Sequence, residues 1–290
     1  MTRDPATADI AGDDLSAQRF RMLRDIAKDL AGDVVFPTCF DAALGLRKKL
    51  QDPNISASGI ARIVAAEPLI AAKLLQLANS AYYSPPGEQA RDIQGVIVRL
   101  GVDVVRTTAL AIAMRQLLRA KDMAIFSDLA QALWEHSIKT AAAAHVVARV
   151  HTRLDPGEAL LAGLVHDLGA FYMLYRASQD DDLRVRPDTM KHLIMQWHES
   201  VGVSLLNALG LPEEIVNATI DHDRPRSVPI PPRSLADVLY VANGLAGAQF
   251  EWLLQDIVPV PDETRALREH YGDLLGDIKA EAAGMTGVFV

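Results

Sequence analysis

The chain has 290 residues, half of them hydrophobic and rich in Ala, Leu and Val, with a formal net charge of −8. This length allows one large domain or two small ones with ample core, and the composition suits a compact helical protein. The acidic balance leaves no basic stripe to neutralise phosphates, which argues against a general nucleic-acid binder.

The single cysteine, Cys39, excludes an internal disulfide and any cysteine-rich zinc site, and is expected as a small core residue. The N-terminus lacks the apolar segment of a secretory signal. No apolar run reaches the ~18 residues of a membrane span. A cytoplasmic protein without membrane attachment is therefore expected.

Residues 1–14 show no periodicity and are expected as a disordered tail. Residues 15–32 carry Phe20, Leu23, Ile26 and Leu30 at helical spacing, with Gly32 as the stop. A second helix is expected after Pro37, and a third through Ile60, Ile63 and Val64. Glu67-Pro68 then resets the chain, because proline fits the first turn of a helix and not its interior. The two short helices around that junction resemble a helix-turn-helix. The second offers only Lys73 and Gln76 to bases, on an acidic background, so DNA reading is not expected.

Further helices are expected from Ile93 to Leu100 with Gly101 as C-cap, from Val102, and from Ser127 as N-cap. In the last of these, Leu129, Leu133, His136, Thr140, Ala143 and Val147 recur at spacings of four and three, which turns His136 inward. Asp155, Pro156 and Glu158 open the next helix, which is expected to run through Gly163, His166, Asp167 and Ala170 to Leu174. Residues 176–188, with Asp180-Asp181-Asp182, are expected as a solvated loop.

A helix from about Thr189 places His198 among Leu193, Ile194 and Val201. Pro212 opens another that aligns Ile215, Thr219 and His222. After a proline-rich loop, Ser234 caps a helix that carries Asn243 beside its apolar face. A polar helix from about Thr264 to Ala282 ends the series. No strand pattern competes, so the fold class is all-α, a multi-helix bundle with an N-terminal helical subdomain.

A lone histidine on an apolar helix face is usually a satisfied core residue. Four separate helices presenting one each, with Asp167 beside His166, form a pattern that bundles use to hold metals. Mixed nitrogen and oxygen donors suit iron, manganese, nickel, cobalt or zinc better than calcium. His145, His151, His192 and His270 fit no such constellation. No phosphate loop, nucleophile elbow or dinucleotide fingerprint is present, so metal-assisted hydrolysis of a phosphate ester is the one enzymatic chemistry with support.

Ala66-Glu67-Pro68, the run Lys73 to Ser80, Leu100-Gly101, Trp134-Glu135-His136-Ser137 and Gly163 to Gly169 stand in a specific order. Trp197 to Gly202, Leu211-Pro212 and Ile220-Asp221-His222 continue it. In this order the chain resembles the HDOD proteins, a divergent branch of the HD superfamily of metal-dependent phosphohydrolases, over about residues 33–250. The resemblance divides the chain into residues 33–125, an N-terminal helical subdomain, residues 126–250, an HD-like subdomain, and a C-terminal helical extension over 251–290.

The resemblance implies His136, His166 and Asp167 as metal ligands, with His198 and His222 added as in the two-metal cyclic-dinucleotide phosphodiesterases. Where active relatives carry a last Asp, this chain has Asn243, whose amide oxygen can coordinate without charge. Asp223 replaces the second of two paired histidines, and Ala170 stands in place of a lysine. These departures describe a weakened site. They imply a regulatory or adaptor protein that contacts signalling proteins, with a nucleotide as the ligand class its cleft would admit. A metal-dependent phosphohydrolase and a nucleic-acid-associated regulator are the alternatives.

Overall fold

The computed structural model describes residues 68–80, 83–84, 89–118, 121–208, 211–247 and 261–289, with isolated positions between 20 and 64. Residues 20, 21, 24–26 and 28 are helical, within the helix expected over 15–32. Residues 1–14 and 248–260, Cys39, Glu67 and the stretch after Pro37 where a second helix is expected lie outside the described residues.

No strand is present among the described residues, which from Pro68 onward form eleven α-helices and two 3-10 segments. They are α1 (Pro68–Ala78), α2 (Ile93–Leu100), α3 (Val102–Leu118), α4 (Ser127–His151), α5 (Pro156–Val165) and α6 (Leu168–Ser178). The series continues with α7 (Pro187–Ala208), α8 (Glu213–Ala218), α9 (Leu235–Ala246), α10 (Pro261–Tyr271) and α11 (Leu275–Phe289). No helix among the described residues is long and apolar enough to cross a membrane.

Local signals set several boundaries. Asp92 caps α2, and Gly101 closes it at a φ of 80°, a backbone conformation that side chains disfavour. The Asp155 carboxylate accepts from the Gly157 and Glu158 amides at the start of α5. Ser234 and Asp237 make a reciprocal capping box at α9. Ser127 was expected as a cap but is the first residue of α4, which a 3-10 turn over Lys121–Phe126 leads into without a side-chain cap.

The 25-residue α4 is the axis of the molecule. The sequence predicts one inward stripe on it. In fact Ala141 to Ala144 and Val146 to Ala148 are all buried. Small side chains let α5, α9 and α11 pack around this half of the helix. Gly163 shows how close the approach is: a Cβ there would lie 2.7 Å from the Cα of Ala141 on α4.

The expected helix 264–282 is instead two helices with a 3-10 turn at Gly272–Leu274. It is not simply polar, because Leu267, Tyr271, Leu274, Ile278 and Met285 are buried. The break lets α10 pack by α9 while α11 runs along α4 and reaches α1.

Candidate functional site

His166 and Asp167 do not lie inside one continuous helix. α5 ends at Val165, α6 starts at Leu168, and Asp167 sits between them at φ −100°, ψ 19°. The break removes the 100° helical offset between neighbours and turns both side chains to one point. Gly169 holds the second half of this corner against α7. A Cβ on Gly169 would collide with the His198 carbonyl oxygen and come within 2.5 Å of the Gly202 amide nitrogen. Backbone contact between α6 and α7 thus delivers His198 to Asp167.

His222 is also placed by a turn. α8 ends at Ala218, earlier than the spacing of Ile215, Thr219 and His222 predicts, and residues 219–223 form turns. Asp221 adopts φ 57°, and its amide donates to the Glu199 carboxylate at 2.8 Å, which pins the turn to α7. The Tyr240 hydroxyl on α9 accepts from the Arg226 amide and donates to its carbonyl, fixing the loop that follows.

These elements bring His136, His166, Asp167, His198, His222 and Asp223 together. Their donor atoms form two groups, His136–His166–Asp167 and Asp167–His198–His222–Asp223, each within 4.8 Å throughout. Asp167 belongs to both. Its Oδ2 lies 3.3 Å from His166 Nε2 and 3.9 Å from His136 Nε2. Its Oδ1 lies 3.4 Å from His222 Nε2 and 3.6 Å from His198 Nε2. Asp223 Oδ2 is 3.0 Å from His198 Nε2 and 3.3 Å from His222 Nε2.

The tautomers follow from the backbone. Nδ1 of His166, His198 and His222 contacts the carbonyls of Gly163, Ile194 and Thr219 at 2.7–2.8 Å. A carbonyl only accepts, so each Nδ1 carries the proton and each neutral ring presents its Nε2 lone pair to the cluster. Histidines that ligate metals are commonly held this way. The Nε2 atoms of His136 and His166 face each other at 3.2 Å. Lone pairs of His166, His198 and His222 facing carboxylate oxygens need a proton or a cation between them. The donor set therefore fits divalent metal.

Without metal, protons take that role. Burial works most strongly against a charged His198 and His222, yet the hydrogen bond and charge of Asp223, with Asp167, raise both above 6.5. His136 is pushed down to about 4 by burial and then by His166. Burial opposes the charged forms of Asp167 and Asp223 too, but the imidazoles hold both carboxyls below the ordinary range.

Asn243 is buried on α9, and its Nδ2 donates to Asp223 Oδ1 at 3.0 Å and more weakly to the His222 carbonyl at 3.4 Å. Sequence reasoning undervalued Asp223. A usable signal was present, because His222-Asp223 repeats the His166-Asp167 dipeptide. Reasoning from sequence also passed over His145, whose Nδ1 lies 2.6 Å from Glu281 on α11, a carboxylate with 0% exposure that accepts from the Tyr83 hydroxyl.

The HDOD domain model matches residues 36–225. A putative metal-dependent phosphohydrolase from Shewanella amazonensis SB2B has a similar structure, with TM-score 0.70 and 20% identity, covering 94% of this chain and 100% of that one. A putative signal transduction protein from Marinobacter aquaeolei VT8 superposes with TM-score 0.55 at 19% identity, covering 97% and 68% of the two chains. An uncharacterized protein of Treponema pallidum (strain Nichols) is 21% identical over 210 residues, which is 69% of this chain. The match spans 40% of the length of that curated relative.

Proposed function

The chain belongs to the HDOD family, and from that premise we propose that it is a signal-transduction module acting through contacts with other proteins. In this reading its HD-like part, residues 126–250, encloses divalent metal. His136, His166 and Asp167 would hold one cation, and Asp167, His198, His222 and Asp223 a second. Iron, manganese, nickel, cobalt and zinc suit these donors.

Burial carries the reading. His136, His166, Asp167, His198 and His222 are 1–6% exposed. Only the Asp223 side chain, at 15%, reaches the surface. A centre so enclosed is suited to fixing the relative positions of α4, the α5–α6 corner, α7 and the 219–223 turn. Partner proteins on the outer helices would then sense its state. The signal-transduction description of the Marinobacter protein agrees with this role.

A second reading, a metal-dependent phosphohydrolase, is favoured by the shared carboxylate Asp167 and the surface-facing edge of Asp223. The Shewanella protein carries that description. A bound divalent cation would activate water and neutralise phosphate charge. The residues of the chain would supply the frame, with the Asp223 edge as the approach for a phosphodiester such as a cyclic dinucleotide.

The test is metal analysis of the purified chain, followed by turnover assays on cyclic dinucleotides in each metal form and crosslinking to capture partners. Stoichiometric metal, partner capture that changes when metal is stripped, and no turnover support the signalling module. Turnover that is abolished in Asp167→Asn replaces it with the hydrolase.

A further inference from the structure

Asp223 and Asn243 meet side chain to side chain within this centre, and their contact makes its two halves chemically unequal. Asp223 uses its oxygens separately. Oδ1 accepts from Asn243 Nδ2 at 3.0 Å, while Oδ2 faces the Nε2 atoms of His198 and His222. The amide orientation of Asn243 is dictated by its neighbours. Turned over, its oxygen would face the Asp223 carboxylate and the His222 carbonyl, three acceptors without a proton. Asn243 Oδ1 is consequently left buried with no hydrogen-bond partner, on a residue only 2% exposed. A buried acceptor is seldom left without a donor, and here it is the consequence of committing the Asn243 amide N–H to Asp223.

Counting charge sharpens the asymmetry. The His136–His166 half has one carboxylate, Asp167, which it shares. The His198–His222 half has the same shared carboxylate and Asp223 in addition. We propose that Asp223 is an anionic ligand of the His198–His222 half, that Asn243 is the positioning residue aiming its Oδ2, and that this half takes up the first divalent cation. The pair is matched: a carboxylate at position 243 would face that of Asp223, and an amide at position 223 would leave the half short of charge.

This inference rests on the metal-holding reading above and goes beyond it by assigning order and residues. The test uses the full chain, stripped of metal and titrated with Mn(II) and Co(II). Calorimetry and native mass spectrometry give stoichiometry, and Co(II) absorption reports on the ligand field. Wild type is expected to bind two cations in distinguishable steps. Asp223→Asn should weaken the first step at least 100-fold and alter its Co(II) spectrum. Asn243→Ala should weaken that step 10–100-fold, as loss of an outer partner does, with Asn243→Gln recovering part of it.

The exchanged double variant, Asp223→Asn with Asn243→Asp, restores a donor facing a carboxylate. It should bind better than either exchange alone, which keeps the proposal open to refutation if one single variant misfolds. A first step unchanged within threefold in Asp223→Asn, with metal still bound, overturns this inference alone. A wild-type chain that takes up neither cation overturns the inference and the metal-holding reading together.

Discussion

Two buried groupings of histidine with carboxylate lie against α4, and they are balanced in opposite ways. His136 and His145 are nine residues apart, about 180° around the helix at ~100° per residue. On the His145 side, one imidazole, one carboxylate and one hydroxyl meet on three segments, α4, α11 and the loop after α1. The Glu281 carboxylate accepts from the Tyr83 hydroxyl and lies 2.6 Å from His145 Nδ1. On the His136 side, four imidazoles and two carboxylates converge with their Nδ1 protons already committed to carbonyls in three of the four rings. The first grouping sets one imidazole and one hydroxyl on a single carboxylate, whereas the second turns several Nε2 atoms on two carboxylates that share no other cation among the described residues. Both set histidine against a buried carboxylate, so the number and arrangement of donors separates a structural tie from a candidate metal centre.

The largest expected effect is on the His145 side. Glu281→Ala leaves a cavity at a fully buried position and takes the acceptor from the Tyr83 hydroxyl, and should cost about 3–5 kcal/mol in urea unfolding. Metal stoichiometry should not change. If metal uptake falls with it, the two groupings are not independent.

Next comes acid sensitivity on the His136 side, measured without metal. Between pH 4 and 6.5 the unfolded chain protonates His136 and the folded chain does not, so stability rises with pH across that window. His198 and His222 have raised folded values, so their contribution is fully present below 6.5 and is lost as pH climbs through those values. Asp167 and Asp223 contribute above 3.8 and lose that contribution as pH falls toward their depressed values. A stability maximum near pH 6.5 is expected. His136→Gln should remove an acid limb of up to about 3 kcal/mol, at 1.36 kcal/mol per pH unit.

Chelation should come third. With free cation at 100 times its Kd, binding stabilises a folded protein by about 2.7 kcal/mol. Denaturation with and without chelator should show that difference in wild type and in Glu281→Gln, and none in Asp167→Ala. The smallest effect is expected from Tyr83→Phe, which removes one hydrogen bond to a charged group and should cost about 1.5 kcal/mol. It should leave both the pH profile and the chelator response unchanged.

Much of this was legible in the sequence because its causes are local. Asp155, Ser234 and Gly101 act within a turn of their own positions, and the placement of His136 and His198 follows from helical spacing. What was not legible depends on tertiary contact. Apolar periodicity runs unbroken through Leu164 to Leu174 and hides the corner at His166-Asp167. It likewise carries Ile215 and Thr219 on to His222 past the real end of α8. The alanines of α4 give no contrast between faces, so an enclosed helix reads as a striped one. Glu281 looks like one more surface carboxylate of a polar helix, since its partners come from distant parts of the chain.

The contact of Gly169 with Gly202 sets a gauge. Two main chains touching have almost no compliance, so the span from the α5–α6 corner to α7 is fixed by the thickness of the polypeptide and not by a choice of rotamer. Ions of different radius must be met by tilting imidazoles, since the helices cannot spread. Ca²⁺, which prefers ligands at about 2.3–2.6 Å and six to eight oxygens, is mismatched in size as well as in donor type. A bound ion would then be selected by its radius, and Gly169→Ala, whose methyl group would meet the backbone of His198 and Gly202, should disrupt the corner itself and cost metal uptake and stability together.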